Sequence, residues 1–322
     1  MMSNVLENKI VANQATGLDI DFIQSIRINR SAVERRATSM LTRRSIKKQW
    51  QAAWLLRAVS CIDLTTLAGD DTGNFIQRLC AKAQQPVRED ILDQLGVEPL
   101  TVGAVCVYHN LVKAAVHALE GSQIPVAAVS TGFPAGQIGL DQKINQIKAS
   151  LRAGASEIDI VISRAHVLRG DWKALYKEVS NFRLACGTAH MKTILATGEL
   201  ATLTNVAKAS HVCMMAGADF IKTSTGKESV NATLPVSLVM TRTIREYYEQ
   251  TGKKIGFKPA GGIRKAREAI NWLVLIKEEL GNEWLNNNYF RFGASGLLGD
   301  IERQLEHFVT GRYSAQYRHP IA

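Results

Sequence analysis

The chain has 322 residues, 46% of them hydrophobic and 21% charged, so it can build a large core and lacks the composition of a disordered segment. Its five cysteines are scattered and include no C-x-x-C pair, which argues against a disulfide framework or a zinc ribbon and suits a reducing, cytoplasmic setting. The formal charge of +10 is uneven, because residues 1–50 carry nine Lys/Arg against four Asp/Glu.

No stretch reaches the roughly 18 to 20 apolar residues of a membrane span, and no cleavable leader opens the chain. A non-secreted protein with no membrane contact is expected.

Residues 1–18 show no period and are expected to be frayed. Ile20, Ile23 and Ile26 then recur at helical spacing, and Trp50 and Trp54 stand one turn apart ahead of Leu55 and Val59. Residues 1–57 therefore read as a basic, partly helical extension covering one end of the main domain. Its run from Arg35-Arg36 through Arg43-Arg44 to Lys47-Lys48 has the clustered cations that bind RNA or an acidic partner. A solvated helical face is the simpler account of them.

From there short apolar runs alternate with longer amphipathic stretches. Strands are expected at 59–63, 103–108, 125–130, 157–162, 191–195, 219–224, 254–258 and 289–293. Strands that alternate with helices form parallel sheets buried on both faces. Eight such units over residues 58–312 have the size of an α/β protein of the (β/α)8 TIM barrel class. An open doubly wound sheet is the competitor, but no G-x-G-x-x-G follows the first strand and no P-loop occurs. Residues 313–322 read as a disordered tail.

Active sites of such barrels lie at the C-terminal ends of the strands, so charged residues within the apolar strands are the informative ones. They are Asp63, Asp159, Lys192, Lys222 and Lys258. A lysine in an apolar strand is costly unless it is paired or neutral. Buried ion pairs would explain any one of the three lysines. Three on consecutive strands suggest instead that one amine is held neutral as a nucleophile for Schiff-base chemistry, which needs no metal or organic cofactor.

The run Asp219-Phe-Ile-Lys222-Thr-Ser-Thr225-Gly226-Lys227, the run Gly256-Phe-Lys258-Pro-Ala-Gly261-Gly262, Cys61-Ile-Asp63-Leu-Thr65, Glu157-Ile-Asp159 and Phe292-Gly293-Ala-Ser295 carry a family resemblance. In this order the chain resembles the class I 2-deoxyribose-5-phosphate aldolases from about residue 55 to about 312. Its long basic N-terminus is closer to the animal branch than to the shorter bacterial proteins. The resemblance implies a lyase that reversibly cleaves 2-deoxyribose 5-phosphate to glyceraldehyde 3-phosphate and acetaldehyde, in deoxyribose phosphate catabolism. It makes Lys222 the Schiff-base lysine, Lys258 the second lysine that perturbs it and Asp159 the acid/base carboxylate. It also turns Asp63, Thr65, Cys106 and Thr225 toward substrate, with Lys192 behind them.

Glycines let backbone N–H groups approach an anion, and a helix N-terminus favours one. Gly226 with Lys227, Gly261 with Gly262, and Gly293 with Ser295 and Gly296 are thus expected to bind the phosphate after strands six, seven and eight. The match departs from the family at Gly296, where a second hydroxyl residue is common, and at His109, where proline is common. The seven histidines show no metal-ligand spacing, so no metal is expected.

Two other readings remain open at this stage. One is a different Schiff-base barrel, such as a transaldolase. The other is a barrel turned binding protein, with the N-terminus on RNA or an acidic partner. A homo-oligomer is compatible with either, since exposed helical faces do not reveal which of them pair.

Overall fold

The structure is a computed structural model, and it describes residues 12–319. Residues 1–11 of the extension and 320–322 of the tail lie outside the described residues.

Among the described residues three helices precede the first strand: α1 (Ile20–Ser25), α2 (Arg30–Arg43) and α3 (Lys48–Ser60). The first two begin where a side chain can satisfy an open N–H group. Asp19 accepts from Phe22, and Asn29 accepts from Ala32. The α2 helix buries Val33, Ala37 and Met40, exposes Arg30, Arg35 and Arg43, and pairs Arg36 with Glu278. Residues 12–18 have no regular structure, yet they are not frayed. Asn13 is buried, donates its backbone N–H to Asp219 and its side-chain amide to the carbonyls of Met214 and Ala218, and Thr16 donates to Met215.

Eight strands follow: β1 (Ile62–Thr65), β2 (Ala104–Tyr108), β3 (Val126–Ser130), β4 (Glu157–Val161), β5 (His190–Ile194), β6 (Phe220–Lys222), β7 (Gly256–Lys258) and β8 (Phe292–Ala294). All are parallel, in the order β7-β6-β5-β4-β3-β2-β1-β8. Bridges from Phe257 to Phe290 and from Ala260 to Gly293 join the two edges. Helices α4 (Gly73–Gln84) and α5 (Glu89–Leu95) follow β1, and α6 (Val112–Ala118) and α7 (Leu140–Arg152) follow β2 and β3. The pair α8 (Arg164–Leu168) and α9 (Trp172–Cys186) follows β4. Last come α10 (Leu203–Met215), α11 (Leu234–Thr251), α12 (Ala266–Leu280) and α13 (Leu297–Thr310). This is the expected (β/α)8 barrel.

Two strands start three residues later than the sequence suggests. Val59 and Ser60 are the last turn of α3, because the helical period begun at Trp50 runs on to Ser60, and β1 starts only at Ile62. At the other edge Tyr289 and Phe290 close a turn, and β8 starts at Phe292. The tail is not wholly loose either. His319 is buried against Glu306 at 2.5 Å, and Arg318 pairs with the same carboxylate at 3.1 Å. Tyr313 and Tyr317 stay exposed.

No helix among the described residues is long and apolar enough to cross a membrane. All five cysteines are buried and free.

Candidate active site

Strand register sets the depth of each charged side chain. Asp159 lies opposite Lys192, Ile194 lies opposite Lys222, and Lys222 lies opposite Lys258. Alternate residues of a strand share a face, so Lys222 and Lys258 stand one layer nearer the C-terminal mouth than Lys192 and Asp159. Lys222 and Lys258 are also the last residues of β6 and β7.

The side chains converge on Asp159. Its Oδ2 accepts from Lys222 Nζ at 2.7 Å and from Lys258 Nζ at 2.8 Å, and its Oδ1 accepts from Lys192 Nζ at 3.2 Å. Lys258 also donates to Asp63 at 2.5 Å, and Lys192 donates to Glu157. Arg291 closes the network from below, donating to Asp63 at 2.6 Å and to Glu157 at 3.0 Å. All seven side chains are buried.

Charge decides which amine can be neutral. Lys192, Lys222, Lys258 and Arg291 face three carboxylates, Asp63, Glu157 and Asp159, so one ammonium is in excess. Isolated buried charge is expensive, and the excess is relieved by releasing one proton. Burial, and after it the neighbouring Lys258 ammonium, hold the Lys222 amine below the ordinary lysine range against the pull of Asp159. Burial acts the same way on the other two lysines, but carboxylates outweigh it. Asp159 and Asp63 raise Lys258, while Asp159 and Glu157 raise Lys192. Asp159 itself is held well below the carboxylate range by the three lysines despite its burial.

Lys222 is also the lysine of the three that lines the cleft at the mouth, a space of about 200 Å³ shared with Thr65, Thr225, Gly226, Lys227, Gly261, Gly262, Gly293, Ser295 and Gly296. Every residue expected to hold phosphate is therefore gathered on one cleft with the amine. Asp63, Asp159, Lys192 and Lys258 form the floor beneath it. Cys106 packs with Ala127 and Val129 against Leu67, which lines the cleft, and burial pushes its thiol upward. Thr65 donates its hydroxyl to the Asp63 carbonyl at 2.7 Å.

The glycines do not all act as donors. The Gly226 N–H is already given to Glu228 Oε2 at 3.2 Å, and that of Gly293 to the Pro259 carbonyl at 2.9 Å. Gly293 serves instead by lacking a side chain, since a Cβ there would stand 2.7 Å from that of Ala260. The N–H groups of Gly262, Ser295 and Gly296 meet no acceptor among the described residues. They surround the opening of α13, where an anion is favoured.

Three participants were not singled out from the sequence. Arg291 sits in an apolar run between Phe290 and Phe292, the same signal that marked the lysines. Arg264 adds a cation to the cleft rim. Glu228 is buried and accepts the N–H groups of both Thr225 and Gly226, fixing the turn that carries Lys227. Arg164 approaches Glu228 at 3.9 Å and pairs with Glu199 at 2.6 Å.

A family description, DeoC/LacD family aldolase, matches residues 57–282. The deoxyribose-phosphate aldolase of Bos taurus is 58% identical over 313 residues, covering 96% of this chain and 98% of that one. Among solved structures, a Toxoplasma gondii protein with the provisional name deoxyribose-phosphate aldolase superposes with a TM-score of 0.70 at 21% identity, covering 82% of this chain and 98% of its own. The deoxyribose phosphate aldolase of Aeropyrum pernix, whose structure is tetrameric, gives 0.56 at 22% identity, with 81% and 98% covered. At such identity these two structures speak for the fold alone.

Proposed function

Since the chain belongs to the DeoC/LacD family of aldolases, we propose that it cleaves 2-deoxyribose 5-phosphate reversibly to glyceraldehyde 3-phosphate and acetaldehyde, with Lys222 as the nucleophile. The carrying observation is that Lys222 is the one lysine of the three that both opens on the cleft and is held below the ordinary lysine range. The Bos taurus relative, 58% identical over nearly the whole chain, supports the substrate.

The neutral amine has two N–H bonds and a lone pair. One N–H rests on Asp159, leaving the lone pair to attack C1 of the open-chain sugar. The carbinolamine loses water to give a protonated imine. A base then takes the C3 hydroxyl proton, the C2–C3 bonding pair moves into the imine to form an enamine, and glyceraldehyde 3-phosphate leaves. Protonation of the enamine at C2 and hydrolysis of the imine release acetaldehyde and restore Lys222. Asp159, Lys258 and water carry these protons between them.

The phosphate dianion is read against Lys227, Arg264 and the N–H groups of Gly262, Ser295 and Gly296, which fixes the sugar with its aldehyde toward Lys222. A homo-oligomer belongs to the same reading, and light scattering on the purified protein reads it. The test is borohydride reduction in the presence of 2-deoxyribose 5-phosphate, followed by peptide mapping. An ethyl or sugar label on Lys222 is the expected result, and a label on another lysine overturns the assignment.

A further inference from the structure

Two clefts that share no lining residue with the catalytic one flank the segment from Arg44 to Lys47, where the chain passes from α2 to α3. One, of about 380 Å³, lies between Trp50, Trp54 and Lys277. The other, of about 760 Å³, lies between Gln51, Lys265, Arg267 and Gln304. Both share Arg44 and Lys47, so they form one track along the outside of α12.

The charge of this track is unbalanced. Its carboxylates, Glu268, Glu278 and Asp300, are already committed. Glu278 pairs with Arg36 and Arg44, both at 2.8 Å. Asp300 pairs with Arg303 at 3.0 Å and Lys265 at 3.7 Å, and Glu268 accepts the N–H groups of Arg264 and Lys265. Arg43, Lys47, Arg267 and Lys277 line the track with no carboxylate within ion-pair distance among the described residues. In their midst Trp50 is 67% exposed, and Lys277 sits 5.6 Å over the ring of Trp54. A large exposed indole beside uncompensated cations is costly for a free surface and calls for a ligand with both anionic groups and flat rings.

We propose that this track is a binding site for single-stranded nucleic acid, its phosphates on Arg43, Lys47, Arg267 and Lys277 and a base stacked on Trp50. The sugar phosphate substrate has one phosphate for four cations and no flat aromatic ring for the indole. A second copy of this chain across a two-fold axis would set the same cations against themselves. An acidic protein would answer the cations and leave Trp50 unexplained. A strand supplies repeated phosphates and sequence-tolerant stacking faces together.

The test is fluorescence anisotropy of a labelled oligouridylate of about 20 nucleotides, long enough for a tracked groove. Binding is expected at low salt, with log K falling against log salt at a slope of about −3, four cations at about 0.7 each. The triple variant R43E/K47E/R267E should weaken binding at least about 100-fold, and W50A about 10-fold. Both variants should cleave 2-deoxyribose 5-phosphate at the normal rate, which also reports that they fold. No binding at low salt overturns the proposal, as does binding that the triple variant leaves intact. Displacement of the strand by saturating sugar phosphate would place it in the catalytic mouth instead. Equal binding of heparin with no effect of W50A would show a ring-indifferent polyanion surface, and uridine monophosphate bound as tightly as the strand would replace the strand by a mononucleotide. Each of these also overturns it.

Discussion

Lys222 and Lys258 donate to one and the same oxygen, Oδ2 of Asp159, at 2.7 and 2.8 Å. Sharing that acceptor holds two amines at close range. Lys258 has Asp63 as a second partner and is held above the ordinary lysine range, whereas Lys222 lacks one and is held below it.

Replacing Lys222 by alanine is therefore expected to abolish both turnover and borohydride trapping, since neither Lys192 nor Lys258, the other two strand lysines, lines the cleft. Near-normal activity in Lys222→Ala would mean that the imine forms elsewhere.

Lys258→Leu removes the cation that helps to lower Lys222 and keeps the nucleophile. Trapping should persist but slow, and the acid limb of its pH profile should move to higher pH, because Lys222 then releases its proton less readily. Single-turnover trapping across the pH range reads this directly. An unshifted limb would show that burial alone sets the amine.

Arg291→Met keeps volume while leaving Asp63 and Glu157 without their shared guanidinium. Breaking a buried network from one side costs about 3 kcal/mol, so a drop in melting temperature is expected, with a smaller acid-side effect on activity. Calorimetry of the purified variant measures it, and an unchanged melting temperature would argue that the lysines compensate in full.

Glu228 touches the cleft only through the backbone of Thr225 and Gly226. Glu228→Ala should lower kcat/KM for the phosphorylated sugar about tenfold, roughly 1.4 kcal/mol, and leave that for unphosphorylated 2-deoxyribose unchanged. Equal losses on both substrates would point to general loosening of the loop.

Asp63, Glu157 and Asp159 all titrate lower in the fold than in the unfolded chain. The folded state thus binds fewer protons in that range. Their contribution to stability is complete above the unfolded carboxylate range, about pH 4, and fades as pH falls below it. Urea midpoints should fall steeply from about pH 5 toward pH 3; a midpoint that holds over this window would show the carboxylates to be energetically neutral.

The strand lysines and Asp159 were legible because a charge inside an apolar strand is conspicuous in one dimension. Arg291 gives the same signal, but nothing in the sequence tells which carboxylates it meets across the barrel. Glu228 gave none. A glutamate two residues beyond a glycine looks like any loop residue until its carboxylate is seen folding back on two amides. The cleft glycines stand out by type, but their division into residues with open N–H groups and spacers depends on which N–H groups the barrel already uses, as Gly293 and Gly226 show. The start of β1 was misplaced because Val59 fits the helical and the strand period equally well.

The anchoring of residues 12–16 at the far end of the barrel separates two properties of this enzyme. Asn13 ties the chain to Asp219 at the entrance to β6, a whole strand below Lys222, and Thr16 ties it to the end of α10. Trimming the chain back to residue 19 would cut this strap without touching the chemistry. The outcome should be an enzyme of ordinary speed and shortened working life when warm, in which durability has been lost and catalysis kept.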